Sequence, residues 1–206
     1  MDEKIDILDE RGNPTGETVW KSAAHRQGLL HRSFHCWVCS PKGEYLFVQR
    51  RAPDKELWPG MLDVTAAGHL QAGEEVMDGL REVEEELGLI VDPRKLIPLG
   101  TRRSVTRERD ATNREFQEVY LLPEATPPED YRLQEEEVAA ILRLEPASAD
   151  RLFEGEAVAA EELQAGEWKH VQVGPRDFIA IEDGYLLRVA RAVRALADGR
   201  SPHPIF

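Results

Sequence analysis

Between Gly68 and Leu89 the sequence reads GHLQAGEEVMDGLREVEEELGL, and the hydrophobic period changes inside it. Val76, Leu80, Val83 and Leu87 are spaced four, three and four residues apart. That spacing draws one apolar stripe along a helix from Glu75 to Leu87, and Gly88 stands where a left-handed C-cap belongs. A helix with a single stripe must lie on a partner surface, so this segment already requires a layered fold. Within it Glu82, Glu85 and Glu86 occupy i, i+3 and i+4, so their carboxylates share one arc while Glu84 points elsewhere. Neighbouring like charges on an exposed helix repel by about a few tenths of a kcal/mol per pair. A hard divalent cation removes that cost, and carboxylate oxygens are what magnesium or manganese takes. A solvated acidic face is the plain alternative. The preceding GHLQAGE loop tips the balance, because its glycines let backbone approach a metal or phosphate closely. Glu74 lies seven residues before Arg81, close to two helical turns, so the two can form an orienting pair.

The rest of the chain reads mainly as strands. Residues 4–20 alternate around ERGNPTG as a hairpin. SFHCWVCS and EYLFVQRR form a second one, and a Trp58-Pro59-Gly60 loop leads into the short strand LDVTAAG. Further strands are expected at 96–101, 115–122 and 138–144, acidic helices near 148–154 and 156–164, and a last helix from Tyr185 to Ala197. The order fits a mixed α/β sandwich. The division is an N-terminal hairpin extension (1–30), a core domain (31–146) and a C-terminal helical extension (147–206). Cys36 and Cys39 sit three apart in a strand, on opposite faces, and read as two buried thiols rather than a redox or zinc pair.

A net charge of −13 repels phosphate backbones and anionic lipid, which argues against nucleic acid polymers and membrane as partners. No run approaches the roughly 18 apolar residues of a membrane span, and MDEKIDILDE has no signal-peptide features. A cytoplasmic protein acting on a small phosphorylated metabolite is expected, and such a ligand would need a metal or local cations. The N-terminal hairpin and the C-terminal helices offer surfaces for a homodimer.

Gly68, five residues, Glu74 and then REVEEELGL resemble the Nudix box, GX5EX7REUXEEXGU, except that the spacer before Arg81 is six residues instead of seven. The resemblance implies an α/β/α Nudix sandwich and Mg2+-dependent hydrolysis (Mn2+ as a substitute) of a diphosphate linkage. By that resemblance Glu82, Glu85 and Glu86 are the metal-binding glutamates, Arg81 and Glu74 the orienting pair, and Ala67 and Gly68 the backbone beside the metal. One glutamate, or a group from another segment, would take the proton of the attacking water.

A longer stretch, KSAAH, VQRRAPDKELWPGMLD and AGHLQAGE, is similar to type I isopentenyl-diphosphate isomerase, a Nudix-fold enzyme. That likeness implies diphosphate binding by Arg51 and Lys55, and places His25, His69 and Glu115 among the isomerase's metal and catalytic set. Ala67 stands where its catalytic cysteine belongs. Arg32 stands where its second ligand histidine belongs, with His31 one position away, on the opposite face of a strand. The acids of a hydrolase are kept and the thiol of an isomerase is absent. The reading is therefore a hydrolase, with Glu82, Glu86, Glu115, Arg81 and Glu74 catalytic and Arg51, Lys55 and His69 binding substrate. An isomerase and a non-catalytic ligand sensor are the alternatives.

Glu115 and Glu118 should face opposite sides of their strand, with Glu115 toward the cleft. The irregularly spaced His25, His31, His35 and His69 are expected to be hydrogen-bonded or surface histidines, with His69 the one most able to act. Arg102, Arg103, Arg107, Arg109 and Arg114 read as a solvated basic hairpin or a substrate-gripping loop. One carboxylate of Glu135–Glu137 can serve as a base or extra ligand, and Trp58 should pack under the cleft.

Overall fold

The computed structural model describes residues 2–108, 111–179 and 183–206; Arg109 and Asp110 of the basic hairpin lie outside the described residues. β1 (Lys4–Leu8) and β2 (Pro14–Trp20) pair as the expected antiparallel hairpin. A short helix not anticipated from sequence, α1 (Lys21–Gln27), follows and is closed by Gly28 at φ 64°. Seven residues give too little periodicity to announce a helix.

The large sheet is mixed. Its strands are β3 (Leu30–Cys39), β4 (Leu46–Arg51), β5 (Leu62–Asp63), β6 (Ala66–His69), β7 (Ile97–Glu108), β8 (Ala111–Pro123), β9 (Val138–Leu144), β10 (Val158–Gln164) and β11 (Glu167–Val173). The order is β11-β10-β9-β4-β3-β8-β7, with β5 paired to β4 and β6 to β3. Only β3 and β8 are parallel within that order. β3 and β4 share the pair Cys39–Leu46 and then part, so β6 takes the free edge of β3 and β5 that of β4. This split in the sheet is where the acidic helix can reach across to the strands.

The two faces carry separate cores. On one, Val83 and Leu87 of α2 (Arg81–Leu87) pack with Phe34, Cys36 and Val38. On the other, α3 (Ser148–Phe153) and α4 (Tyr185–Ala197) cover Trp37, Cys39 and Val48. Cys36 and Cys39 are buried free thiols in different cores, and burial raises both above the ordinary thiol pKa.

Two sequence expectations are corrected. The segment 156–164 is not a helix: Val158–Gln164 is strand β10, paired with β9 and joined to β11 by Ala165 and Gly166 at φ 52° and 80°. Its alanines and glutamates favour helix locally, but the two positive-φ residues make a tight hairpin turn, and ladder pairing outweighs propensity. The expected helix from Glu75 to Leu87 is also divided. Val76–Leu80 is a 3-10 segment and α2 begins at Arg81. The apolar stripe survives the change, with Val76 and Leu80 against the same core as Val83 and Leu87.

Gly79 makes the close approach between the 3-10 segment and β3 possible, because a Cβ there would collide with Cβ and Cγ of the fully buried Phe34. Gly79→Ala should therefore overpack this contact and lower the unfolding free energy by about 1–3 kcal/mol in urea titration. Wild-type stability in that variant would contradict the packing described.

Candidate active site

Arg81 organises the acidic segment. Its Nε donates to Glu74 Oε1 at 2.9 Å and Nη2 to the carbonyl of His69 at 2.9 Å. Nη1 donates to Glu82 and, at 3.4 Å, to Glu85. The six-residue spacer thus leaves Glu74 within reach. A 3-10 segment rises about 2.0 Å per residue against about 1.5 Å in an α-helix, so Val76–Leu80 spans the distance with one residue fewer.

Glu86 is buried at 6% exposure and reaches through the split sheet. Its Oε2 accepts the N–H of Ala67 at 3.3 Å and Nε2 of Gln49 at 3.4 Å. Gly68 lets Glu82 lie against the backbone, since any Cβ there would collide with its carboxylate. Burial pushes Glu82 up to about 7, opposed by Arg81 and reinforced by Glu85. Burial, and then the charge of Glu82, raises Glu86 well above the ordinary carboxylate range. Two acids held against their preferred ionisation beside a glycine backbone form a donor set that a hard cation fits. Glu85 sits at the rim with its side chain 55% exposed, and Glu84 faces solvent as expected.

These groups line a cavity of about 1040 Å3. Arg51 and Lys55 enter it from the end of β4 and the following loop, each ion-paired: Arg51 Nη1 to Asp63 at 3.3 Å, and Lys55 to Glu137. Of the three glutamates 135–137, Glu137 is thus the one tied to a cation among the described residues. Trp58 also lines the cavity, in a left-handed conformation (φ 51°) that is strained for a bulky residue.

The histidines are closer together than their irregular spacing suggests: His25, His31 and His69 converge with one ring nitrogen of each within 4.8 Å of the others, while His31 is hydrogen-bonded as expected. Their ring centroids are 5.0–5.2 Å apart. No Nε2 of the three has a hydrogen-bond partner among the described residues. His31 Nδ1 sits 3.0 Å from the carbonyl of Leu29; donation there leaves its Nε2 lone pair facing the other rings. Burial, and then His31, pushes His25 down to about 4, and burial lowers His69 in the same way. Imidazole nitrogens clustered in this way are a donor set that a borderline metal ion fits.

The one-residue offset of His31 is resolved by the backbone. Odd-numbered residues of β3 face the cavity at this point, while Arg32 turns outward to Glu118 and the carbonyl of Gly12. Glu115, opposite His31 in the parallel ladder, is buried with Oε1 3.4 Å from His69 Nε2, and its Oε2 accepts Nε2 of Gln117 at 2.9 Å. His35 stands apart, its Nδ1 3.1 Å from the Tyr185 hydroxyl.

Sequence reasoning missed Asp63, Gln117 and Tyr185 as wall residues and Gln49 as the partner of Glu86, while Arg102 of the basic hairpin is buried in the wall rather than solvated. Gln49 left one signal, a lone amide in the buried strand LFVQRR. Tyr185 left none, since only folding brings α4 to the cavity.

The Nudix domain pattern matches residues 29–165. An uncharacterized Nudix hydrolase of Clostridium acetobutylicum is 32% identical over 201 residues, covering 93% of this chain and 97% of that protein. Nudix hydrolase 3 of Arabidopsis thaliana is 36% identical over 145 residues, which is 68% of this chain but 19% of that protein. The isopentenyl-diphosphate Delta-isomerase of Shigella flexneri is 37% identical over 120 residues, 57% of this chain and 65% of that enzyme. In structure, a protein of Deinococcus radiodurans superposes with a TM-score of 0.60 at 24% identity, over 75% of this chain and 91% of that one, and so shares the fold. No helix among the described residues is long and apolar enough to cross a membrane. Nudix hydrolases are in general magnesium-dependent pyrophosphohydrolases acting on small phosphorylated substrates, and the pattern match and the near full-length relative together establish that this chain belongs to the Nudix hydrolase family.

Proposed function

We propose that the protein hydrolyses a diphosphate linkage in a small soluble metabolite, with Glu82, Glu85 and Glu86 holding Mg2+, or Mn2+ in its place, beside the backbone of Ala67 and Gly68. The observation that carries this reading is the reach of Glu86 through the split sheet to the Ala67 N–H, with Glu82 against Gly68. When bound, the cation would neutralise charge developing on the phosphoryl oxygens. Arg81 and Glu74 hold the glycine loop on the helix, so the acids keep their spacing. Arg51 and Lys55 are placed to orient the diphosphate, exchanging Asp63 and Glu137 for phosphate oxygens. Glu115, whose orientation Gln117 fixes, is our candidate proton acceptor for the attacking water.

His25, His31 and His69 support a second ion of softer character at the other end of the cavity. In this reading His69 serves as a donor to that ion rather than as a substrate contact. The same cluster favours the second reading, an isomerase, whose metal set it matches in part. Against it, Ala67 supplies no thiol, and the box acids are complete.

Glu86→Gln keeps the side-chain volume and removes the charge. It should lower the rate of phosphate or nucleotide release with magnesium by at least about a hundredfold, with an unchanged circular dichroism spectrum; undiminished turnover would end the assignment. His31→Gln should lose about one equivalent of bound Mn2+ or Zn2+ per chain in elemental analysis after dialysis. Unaltered metal content would remove the second ion from the account.

A further inference from the structure

The hairpin β1–β2 lies outside the matched residues 29–165, yet it is bonded to the loop that carries Glu74. The sequence of β1, KIDIL, places an aspartate between two isoleucines. Ile5 and Ile7 are buried in a small core with Ala24, so the strand's period turns Asp6 to the other side. Aspartate is depleted in strands, and here both of its oxygens are used. Oδ1 accepts the Thr18 hydroxyl across the hairpin at 2.6 Å, and Oδ2 accepts the N–H of Gly73 at 2.8 Å.

The bond to Gly73 matters because of what else holds that loop. The N–H groups of Gln71 and Glu74 are taken up inside the loop, by the Glu74 carboxylate and the Gln71 carbonyl, and that of Leu70 bonds the Arg32 carbonyl just past β6. Ala72 and Gly73 reach outward to the hairpin, the first to the Lys4 carbonyl at 2.8 Å and the second to Asp6. Gly73 has φ 84°, a turn that a residue with a side chain would resist. One residue later Glu74 accepts Arg81, which in turn donates to Glu82.

The hairpin is a firm support for this loop. Glu10 near its tip accepts Arg114 Nη2 at 2.9 Å and also Arg103, and the Gly12 carbonyl accepts Arg32 Nη2 at 2.9 Å. The tip is therefore fixed to β3, β7 and β8. At the open end Glu3 and Lys21 line the cavity beside the acids.

We propose that Asp6 is a positioning residue for the acidic site. By holding the Gly73 N–H it sets Glu74, and through Glu74 the Arg81 guanidinium and Glu82, in the arrangement that takes a divalent cation. The proposal rests on the reading of Glu82, Glu85 and Glu86 as the Mg2+ ligands. Asp6 acts here as a hydrogen-bond acceptor, which asparagine can replace and alanine cannot. Losing the bond lets the loop leave the binding arrangement, and the apparent cation affinity falls with the fraction that remains, by about fivefold.

The test is a Mn2+ titration of the intact chain, read by electron paramagnetic resonance of the free ion, with E82Q used to identify the carboxylate step. D6A should weaken that step about fivefold and D6N should restore it to within about twofold of wild type. T18V removes the hairpin's cross-strand bond but leaves Oδ2 for Gly73, and should bind as the wild type does. Hydrogen exchange over residues 70–75 should quicken in D6A and not in T18V. Wild-type Mn2+ affinity in D6A would overturn the positioning role, as would an equal loss in D6N or T18V, or exchange over 70–75 that D6A leaves unchanged. A titration that E82Q leaves unaltered would instead refute the carboxylate metal site itself, and the role of Asp6 would fall with it.

Discussion

Everything at the acidic end of the cavity depends on where the Arg81 guanidinium is held. It sits among Glu74, Glu82, Glu85 and the carbonyl of His69, joining the glycine loop to the first turn of α2. Without that cation, Glu82 and Glu85 would face each other and a partly buried backbone carbonyl with no compensating donor, a cost of about 1–3 kcal/mol for the stranded polar groups alone. The guanidinium fork suits this position because it satisfies several acceptors at fixed angles, which an ammonium could not do. With the loop fixed, Gly68 and Ala67 present bare backbone to Glu82 and Glu86. The acids are thereby gathered against their own repulsion, and a divalent cation is the natural counter-charge.

The parting of β3 and β4 is the second condition. A continuous sheet would screen α2 from the opposite face. Because β4 leaves β3 after one pair, β6 and β5 fill the opening, and Glu86 extends through to Gln49 and Ala67. The imidazoles and Glu115 come from the far side of that opening. Carboxylates from α2 and the imidazoles of His25 and His69 therefore line one cavity.

Much of this was legible in sequence where the signal is local. The helix stripe, the C-cap glycine, the arc of Glu82, Glu85 and Glu86 and the alternation of Glu115 with Glu118 follow from period alone. The Glu74–Arg81 pair was anticipated as well, although the segment between them is 3-10 where an α-helix was expected. What failed was non-local. His31 looked misplaced because its place was inherited from a likeness, whereas the ladder sets it opposite Glu115. Segment 158–164 has helical composition, yet becomes a strand because β9 offers an edge. Arg102 and Tyr185 meet only through the sheet and α4, 83 positions apart, and no local pattern encodes that contact.

The central claim is that water attacks phosphorus in this cavity. The most direct measurement follows oxygen: turnover of a panel of small diphosphates in 18O-labelled water with magnesium, with products read by mass spectrometry. The account predicts the label in a phosphate or phosphomonoester product and an unaltered organic half. Label in the organic alcohol, or an isomerised organic group with its diphosphate intact, would contradict it.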